Sequence, residues 1–230
     1  MLKYKNKEYT DGEVSGLTRK ERAAECERLL REEYPDAVCQ LNASAPHELL
    51  IATRLSAQCT DARVNMVTPA LFERFRSVDD FADARVEEVE EYIHSCGLYK
   101  TKARDIVEMC RQLRERFGGI VPDTIEELTS LQGVGRKTAN LICGDVYGKP
   151  AVVADTHVIR ICGLLGLTEG KDALKVEQRL KKLLDPAGSN DFCHRVVLHG
   201  RKVCIARRPQ CGACVLRGVC PSAKKEKASS

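Results

Sequence analysis

The sequence predicts an all-α fold with room for two lobes, and three observations predict it. Apolar residues recur at helical spacing along almost every segment, and no segment alternates convincingly at period two. Leu, Val, Ala, Arg and Glu are plentiful while Trp is absent and aromatics make up 5%, a composition that leans towards helices. Glycine and proline punctuate the pattern at Gly97, Gly118-Gly119, Pro122, Gly133, Gly148-Lys-Pro150, Gly166 and Pro186-Ala-Gly188.

Each element has its own signal. Thr18-Arg-Lys-Glu21 is a capping box that opens a helix towards Tyr34, and Pro35-Asp36 stops it. Ser44-Ala-Pro46 opens the next, where Leu49, Leu50, Ala52, Thr53 and Ala57 give a buried pattern. Helical periodicity then predicts helices over 61–75, 86–95, 100–117, 124–131, 136–147, 156–165, 172–183 and 191–204. There is no internal repeat and no long linker.

At 230 residues the chain can bury one large core or two modest ones. The balance of 43% apolar and 30% charged residues is that of an ordinary globular protein. The N-terminal stretch has no apolar signal region and no run is long enough to span a bilayer, so a cytoplasmic, membrane-free protein is expected. The net charge of +4 is unevenly spread. From His194 onwards nine Lys/Arg face one acid, Glu226. That is the footprint of a polyanion partner. Lys224 to Ser230 reads as a solvated tail, whereas Lys202, Arg207 and Arg208, in and beside a cysteine loop, read as phosphate-facing.

That loop holds Cys204, Cys211, Cys214 and Cys220 in the spacing C-x6-C-x2-C-x5-C. Four thiolates within seventeen residues can wrap one metal centre, and tetrathiolate chemistry suits zinc or an iron–sulfur cluster. The other eight cysteines (Cys26, Cys39, Cys59, Cys96, Cys110, Cys143, Cys162, Cys193) are scattered through helical patterns and read as small buried hydrophobes.

Leu131-Gln-Gly-Val-Gly-Arg-Lys-Thr-Ala139 joins two helices through Gly133 and Gly135. Paired glycines allow a tight turn, and the helix starting at Arg136 aims unpaired N–H groups at a phosphate. On these glycines alone, a plain helix end followed by a helix start is the simpler reading. A P-loop is excluded, because neither Gly148-Lys149 nor Gly170-Lys171 is followed by Ser or Thr. Lys137 falls in the first helical turn at the edge of the apolar stripe. The dipole and partial burial expected there both favour a free amine able to attack carbon. Asp155 opens a later helix, first as an N-cap and also as a carboxylate that a pocket could use.

Taken together, Leu131–Asn140, Val153-Ala-Asp-Thr-His157, Leu198-His-Gly-Arg201, the cysteine spacing, Leu49–Asp61 and Gly97-Leu-Tyr99 resemble the endonuclease III family of helix-hairpin-helix DNA glycosylases, over roughly residues 42–220. Two positions depart from the family pattern: Gln132 stands where proline is usual and Ala154 where valine is usual. The resemblance implies a six-helix barrel over 39–149 containing the hairpin, and a second domain joining 1–38 to 150–230 around a [4Fe-4S] cluster on the four cysteines. It implies a bifunctional glycosylase and AP lyase that binds duplex DNA bearing a damaged base, as a monomer of bacterial type. Lys137 would be the nucleophile and Asp155 its assistant. Gln58 would fill the vacated stack and Leu98 would wedge the opposite strand, with Gly133, Gly135, Arg136, Lys202, Arg207 and Arg208 on the backbone.

Two rivals share the fold. A mismatch adenine glycosylase usually lacks the lysine and needs an acid before the inserted glutamine, but no acid lies between Glu48 and Asp61. A mismatch thymine glycosylase would typically put another residue at the lysine position. A non-catalytic DNA-binding or redox-sensing module has no need of Lys137 and Asp155 in those places.

Overall fold

The structure is a computed structural model that describes residues 16–223. The N-terminal stretch read for a signal region and the basic tail from Lys224 lie outside the described residues. Among the described residues every regular element is helical. The chain divides into two compact units, one formed by Met1–Val38 with Pro150–Ser230, the other by Cys39–Lys149.

The central unit is built on α6, after α2 (Pro46–Leu55), α3 (Asp61–Arg74), α4 (Val78–Asp83), α5 (Val86–Ile93) and α6 itself (Tyr99–Phe117), with α7 (Ile125–Thr129) and α8 (Arg136–Asp145) following. Ala103, Ile106, Met109, Cys110 and Leu113 form the buried stripe of α6, the face the 3.6-residue period requires. It packs on α4 and α5, where Phe75 lies 5.0 Å from Phe81 and 5.9 Å from Tyr92, ring centre to ring centre. Lys102 is also fully buried on α6 and donates from Nζ to the Leu55 carbonyl at 2.8 Å, closing the C-terminus of α2. Leu50, Ile51, Ala52 and Leu55 bury α2 against α3, α6 and α8.

The other unit pairs α1 (Arg19–Glu33) with the C-terminal helices α9 (Thr156–Leu164), α10 (Ala173–Leu183) and α11 (Ser189–Lys202). The Thr18–Glu21 capping box is present in both directions. Gly200 explains how α11 reaches α9: a Cβ there would lie 2.5 Å from His157 Nδ1 and 2.9 Å from Ile161 Cδ1. Beyond α11 the described residues form only short 3-10 turns, Cys211–Ala213 and Arg217–Val219.

Three expectations need correcting. The helices predicted to run to Leu131, Tyr147 and Cys204 end at Thr129, Asp145 and Lys202, because turns and the hairpin take over the final residues. Helix α4 has no counterpart among the predicted elements; its six residues are too few to show a period, although Ser77 and Asp80 form a complete capping box. Cys39 and Cys59 are only half-buried, unlike the other six scattered cysteines.

Candidate functional site: a helical hairpin and a four-cysteine loop

The hairpin is a short, tightly braced connection. Leu131 and Val134 point into the core, and the Val134 N–H bonds the Leu131 carbonyl at 3.2 Å. Gly133 has φ +74, and a Cβ there would meet Arg54 Nε at 2.9 Å and Asp105 Cβ at 3.0 Å. Its missing side chain therefore serves the packing behind the hairpin. Gly135 is the opposite case, with nothing within 4 Å of where its Cβ would stand. It begins α8 without any side-chain cap, so no capping side chain competes with a ligand for the first N–H groups of that helix. Arg136 is exposed beside them.

Behind the hairpin is a polar brace that sequence reading missed. Asp105 Oδ2 accepts from Arg54 Nε at 2.9 Å and also from Arg54 Nη2. Asp105 Oδ1 accepts from Gln132 Nε2 at 2.9 Å, and the Gln132 backbone N–H donates to Gln112 Oε1 at 2.8 Å. The departure from proline thus supplies two hydrogen bonds, one of which proline has no N–H to make. The only sequence signal was the seven-residue spacing of Asp105 and Gln112 on one face of α6.

Lys137 is exposed on the first turn of α8. The partial burial expected of it is absent, because the buried face of α8 starts only at Ala139; the helix dipole remains. Asp155, in the other unit, is half-buried and caps α9, its Oδ1 accepting from the Val158 N–H at 2.8 Å.

Gln58 and Leu98 are the two non-glycine residues with positive φ among the described residues, at 55° and 60°. Both are exposed, Leu98 by 58%. Their turns touch, since a Cβ on Gly97 would lie 3.7 Å from the Gln58 carbonyl oxygen. The left-handed conformation costs a residue with a Cβ about 1–2 kcal/mol, and such outliers gather at functional sites. Core packing of Leu98 is thereby excluded.

The four-cysteine loop is pre-arranged for thiolates. Cys204 Sγ accepts from Arg160 Nη1 at 3.5 Å, while Arg160 Nη2 holds the Cys204 carbonyl at 2.7 Å. Buried His199 places Nε2 3.3 Å from Cys214 Sγ and Nδ1 3.1 Å from the Tyr34 hydroxyl. Backbone N–H groups point at sulfur too, from Leu216 to Cys214 and from Ser222 and Ala223 to Cys220. Burial pushes the Cys214 thiol up to about 12, and the other three thiols add to that. A thiol so raised is held as thiolate by a positive centre, which is what a metal cluster supplies. No three His, Cys, Asp or Glu side chains among the described residues stand close enough to hold a single ion. Arg207 and Arg208 are exposed on this loop, while Lys202 holds its ammonium 5.6 Å from the centre of the Tyr34 ring.

Comparison with known proteins decides the family. A family model described as the HhH-GPD superfamily of base excision DNA repair proteins matches residues 51–186. A second, the iron-sulfur binding domain of endonuclease III, matches residues 204–220. Endonuclease III of Synechocystis sp. is 46% identical over 208 residues, which is 90% of this chain and 95% of that protein. The chain belongs to the endonuclease III family. Endonuclease III of Escherichia coli K12 is 41% identical over 85% of this chain and 93% of its own length. A solved structure described as a trapped endonuclease III–DNA covalent intermediate superposes with a TM-score of 0.85 at 42% identity, over 90% of this chain and 97% of that one. With the family come its activity, DNA glycosylase and AP lyase in base excision repair, and its cofactor, a [4Fe-4S] cluster. Zinc is thereby set aside.

Proposed function

We propose that this endonuclease III family member excises oxidised pyrimidines from duplex DNA through an imine on Lys137 and then cuts the strand 3′ to the site. A base inside a duplex is out of reach of any side chain, so the damaged nucleotide is turned out first, at a cost lowest for damaged pairs. Gln58 fills the gap and Leu98 wedges the opposite strand; their exposure and left-handed backbones support this reading. The uncapped start of α8, with Gly133, Gly135 and Arg136, takes backbone phosphate, and Arg207, Arg208 and Lys202 add charge.

The Lys137 amine forms a bond to C1′ as the base departs with the glycosidic electron pair. The Asp155 carboxylate takes the proton that the amine sheds, or steadies the positive sugar. Opening of the sugar ring gives the imine, which acidifies C2′; loss of that proton expels the 3′ phosphate. Water as nucleophile would leave the strand whole, so cutting depends on the amine. Cys204, Cys211, Cys214 and Cys220 would hold the [4Fe-4S] cluster, which supplies a cross-link that orders the basic loop. One chain carries every residue named, so a monomer suffices, working on chromosomal DNA; no helix among the described residues is long and apolar enough to cross a membrane.

The observation that carries the reading is an exposed lysine in the first turn of an uncapped helix on this family's hairpin. Borohydride trapping on a duplex with one thymine glycol tests it. A covalent adduct is expected with the native protein and none with Lys137→Ala. An adduct that survives the substitution would remove Lys137 from the mechanism.

A further inference from the structure

Beneath the turns that present Gln58 and Leu98 lies a pair of cysteines that the glycosylase chemistry does not use. Cys59 directly follows Gln58, and Cys96 precedes Leu98 by two residues. Backbone bonds fix each in its turn, Cys59 N–H to the Ser56 carbonyl at 3.1 Å and Cys96 N–H to the Ile93 carbonyl at 2.8 Å. The turns are in van der Waals contact through Gly97 and the Gln58 carbonyl, which sets Cys59 and Cys96 on neighbouring residues of that contact, and burial together with the nearby Cys59 thiol pushes that of Cys96 up. Cys59 is half-buried and so open to solvent, while Cys96 is fully buried. The buried Lys102 ammonium, anchored on Leu55, interacts with both sulfurs, and Arg63 adds positive charge. Elsewhere Cys26, Cys110, Cys162 and Cys193 are buried out of reach of solvent.

We propose that Cys59 and Cys96 form a reversible dithiol–disulfide site, oxidised by hydrogen peroxide, whose closure disables lesion processing. The Cys59 thiolate attacks one peroxide oxygen; the O–O bond breaks, leaving a sulfenic acid on Cys59 and releasing water. The Cys96 sulfur then attacks Cys59 Sγ, the S–O bond breaks, and the Cys96 proton leaves with the second water. Two thiols and one peroxide thus become one disulfide and two waters, and an external dithiol reverses the change. The order follows from position. Solvent, and with it peroxide, reaches half-buried Cys59, whereas Cys96 is fully buried and meets only a sulfur already beside it. Lys102 and Arg63 oppose the rise of the Cys96 thiol and favour a thiolate there.

The consequence rests on the reading of Gln58 and Leu98 as DNA-inserting residues. Bonded sulfurs stand about 2.05 Å apart, closer than two thiols that merely touch. The bridge draws the two turns together and ties backbones already held at φ 55° and 60°.

The test treats reduced, cluster-loaded protein with hydrogen peroxide at a dose that leaves the visible absorption of the cluster unchanged. Unreduced peptide mapping should find residues 59 and 96 linked. Single-turnover base release on a thymine glycol duplex should fall about tenfold, because a misplacement of 1 Å costs up to ~10²-fold, and dithiothreitol should restore it. Cys59→Ser should keep its rate through the same treatment, and Cys96→Ser should give no linked pair but a Cys59 sulfenic acid that dimedone captures. Absence of the linked pair in the native protein, or a linked protein with an unchanged rate, would overturn the proposal. Gln58→Ala and Leu98→Ala, assayed fully reduced, separate the two ideas: if neither loses base release, the insertion reading fails while peptide mapping still reports on the disulfide.

Discussion

Gly133 and Asp155 show how single residues carry separable requirements. At Gly133 a positive φ of 74° coincides with a Cβ position less than 3.0 Å from Arg54 Nε. Gly133→Ala therefore incurs about 1–2 kcal/mol for the left-handed backbone and must also displace the guanidinium that holds Asp105. A loss of roughly 2–3 kcal/mol in urea unfolding is expected from these terms together; an unchanged midpoint would mean that Arg54 swings aside freely. Asp155 is both cap and carboxylate. Asparagine caps about as well as aspartate, so Asp155→Asn should keep thermal stability and DNA affinity while base release slows about 10²–10⁴-fold, the range of a lost proton-transfer group. Near-native rates would reduce Asp155 to its bond with the Val158 N–H. Lys137 is exposed, so Lys137→Gln should unfold at the native temperature and bind damaged duplex while losing both base release and strand cutting. Weakened binding there would instead make the lysine a phosphate contact.

At the scale of the element, the hairpin is held by bonds that lie far apart in sequence. Gln132 reaches Gln112 and Asp105, which in turn holds Arg54, 51 residues away along the chain. Replacing it by the family's usual proline removes both Gln132 bonds and leaves one Asp105 oxygen short of a donor. That costs about 1–3 kcal/mol, offset by about 0.4–1 kcal/mol from a stiffer unfolded chain. Gln132→Pro should lower the melting temperature, and the same change in an Asp105→Asn background should cost less, since the two share a network. Equal losses in both backgrounds would show that Gln132 acts alone. The contrast explains what the sequence could disclose. Helices announced by local chemistry, such as Thr18 with Glu21 or Pro46 at a first turn, were legible because cap and partner lie within one turn. The hairpin glycines and the cysteine spacing were legible for the same reason. The Arg54–Asp105–Gln132 brace was not, because nothing local pairs residues on three different elements. The exposure of Lys137 was misjudged on a margin of two residues, the distance from Lys137 to the first buried position of α8.

For the molecule as a whole, the charge distribution and the cluster make one joint demand. The basic C-terminal segment contains Arg207 and Arg208 on a loop with only short 3-10 turns and a few backbone bonds of its own. Neutralising phosphates releases counterions, so the logarithm of affinity falls with the logarithm of salt at about 0.9 per contact. Arg207→Ala with Arg208→Ala should flatten that slope by roughly 1.8 if both contact phosphate. Lys202→Ala should change it less, because its ammonium already lies over Tyr34. Leu216 and Val219, buried where their turn packs on α1, anchor the far end of the loop, so the stretch that bears Arg207 and Arg208 is left to the four sulfurs with their Arg160, His199 and backbone donors. Removing the iron should then reproduce the double substitution: the cluster-free protein should show the same flattened slope even though both arginines are present. A cluster-free protein that kept the full slope would mean the loop holds its arginines in place without the metal, and the role of the four cysteines would have to be sought in the cluster's chemistry instead of its geometry.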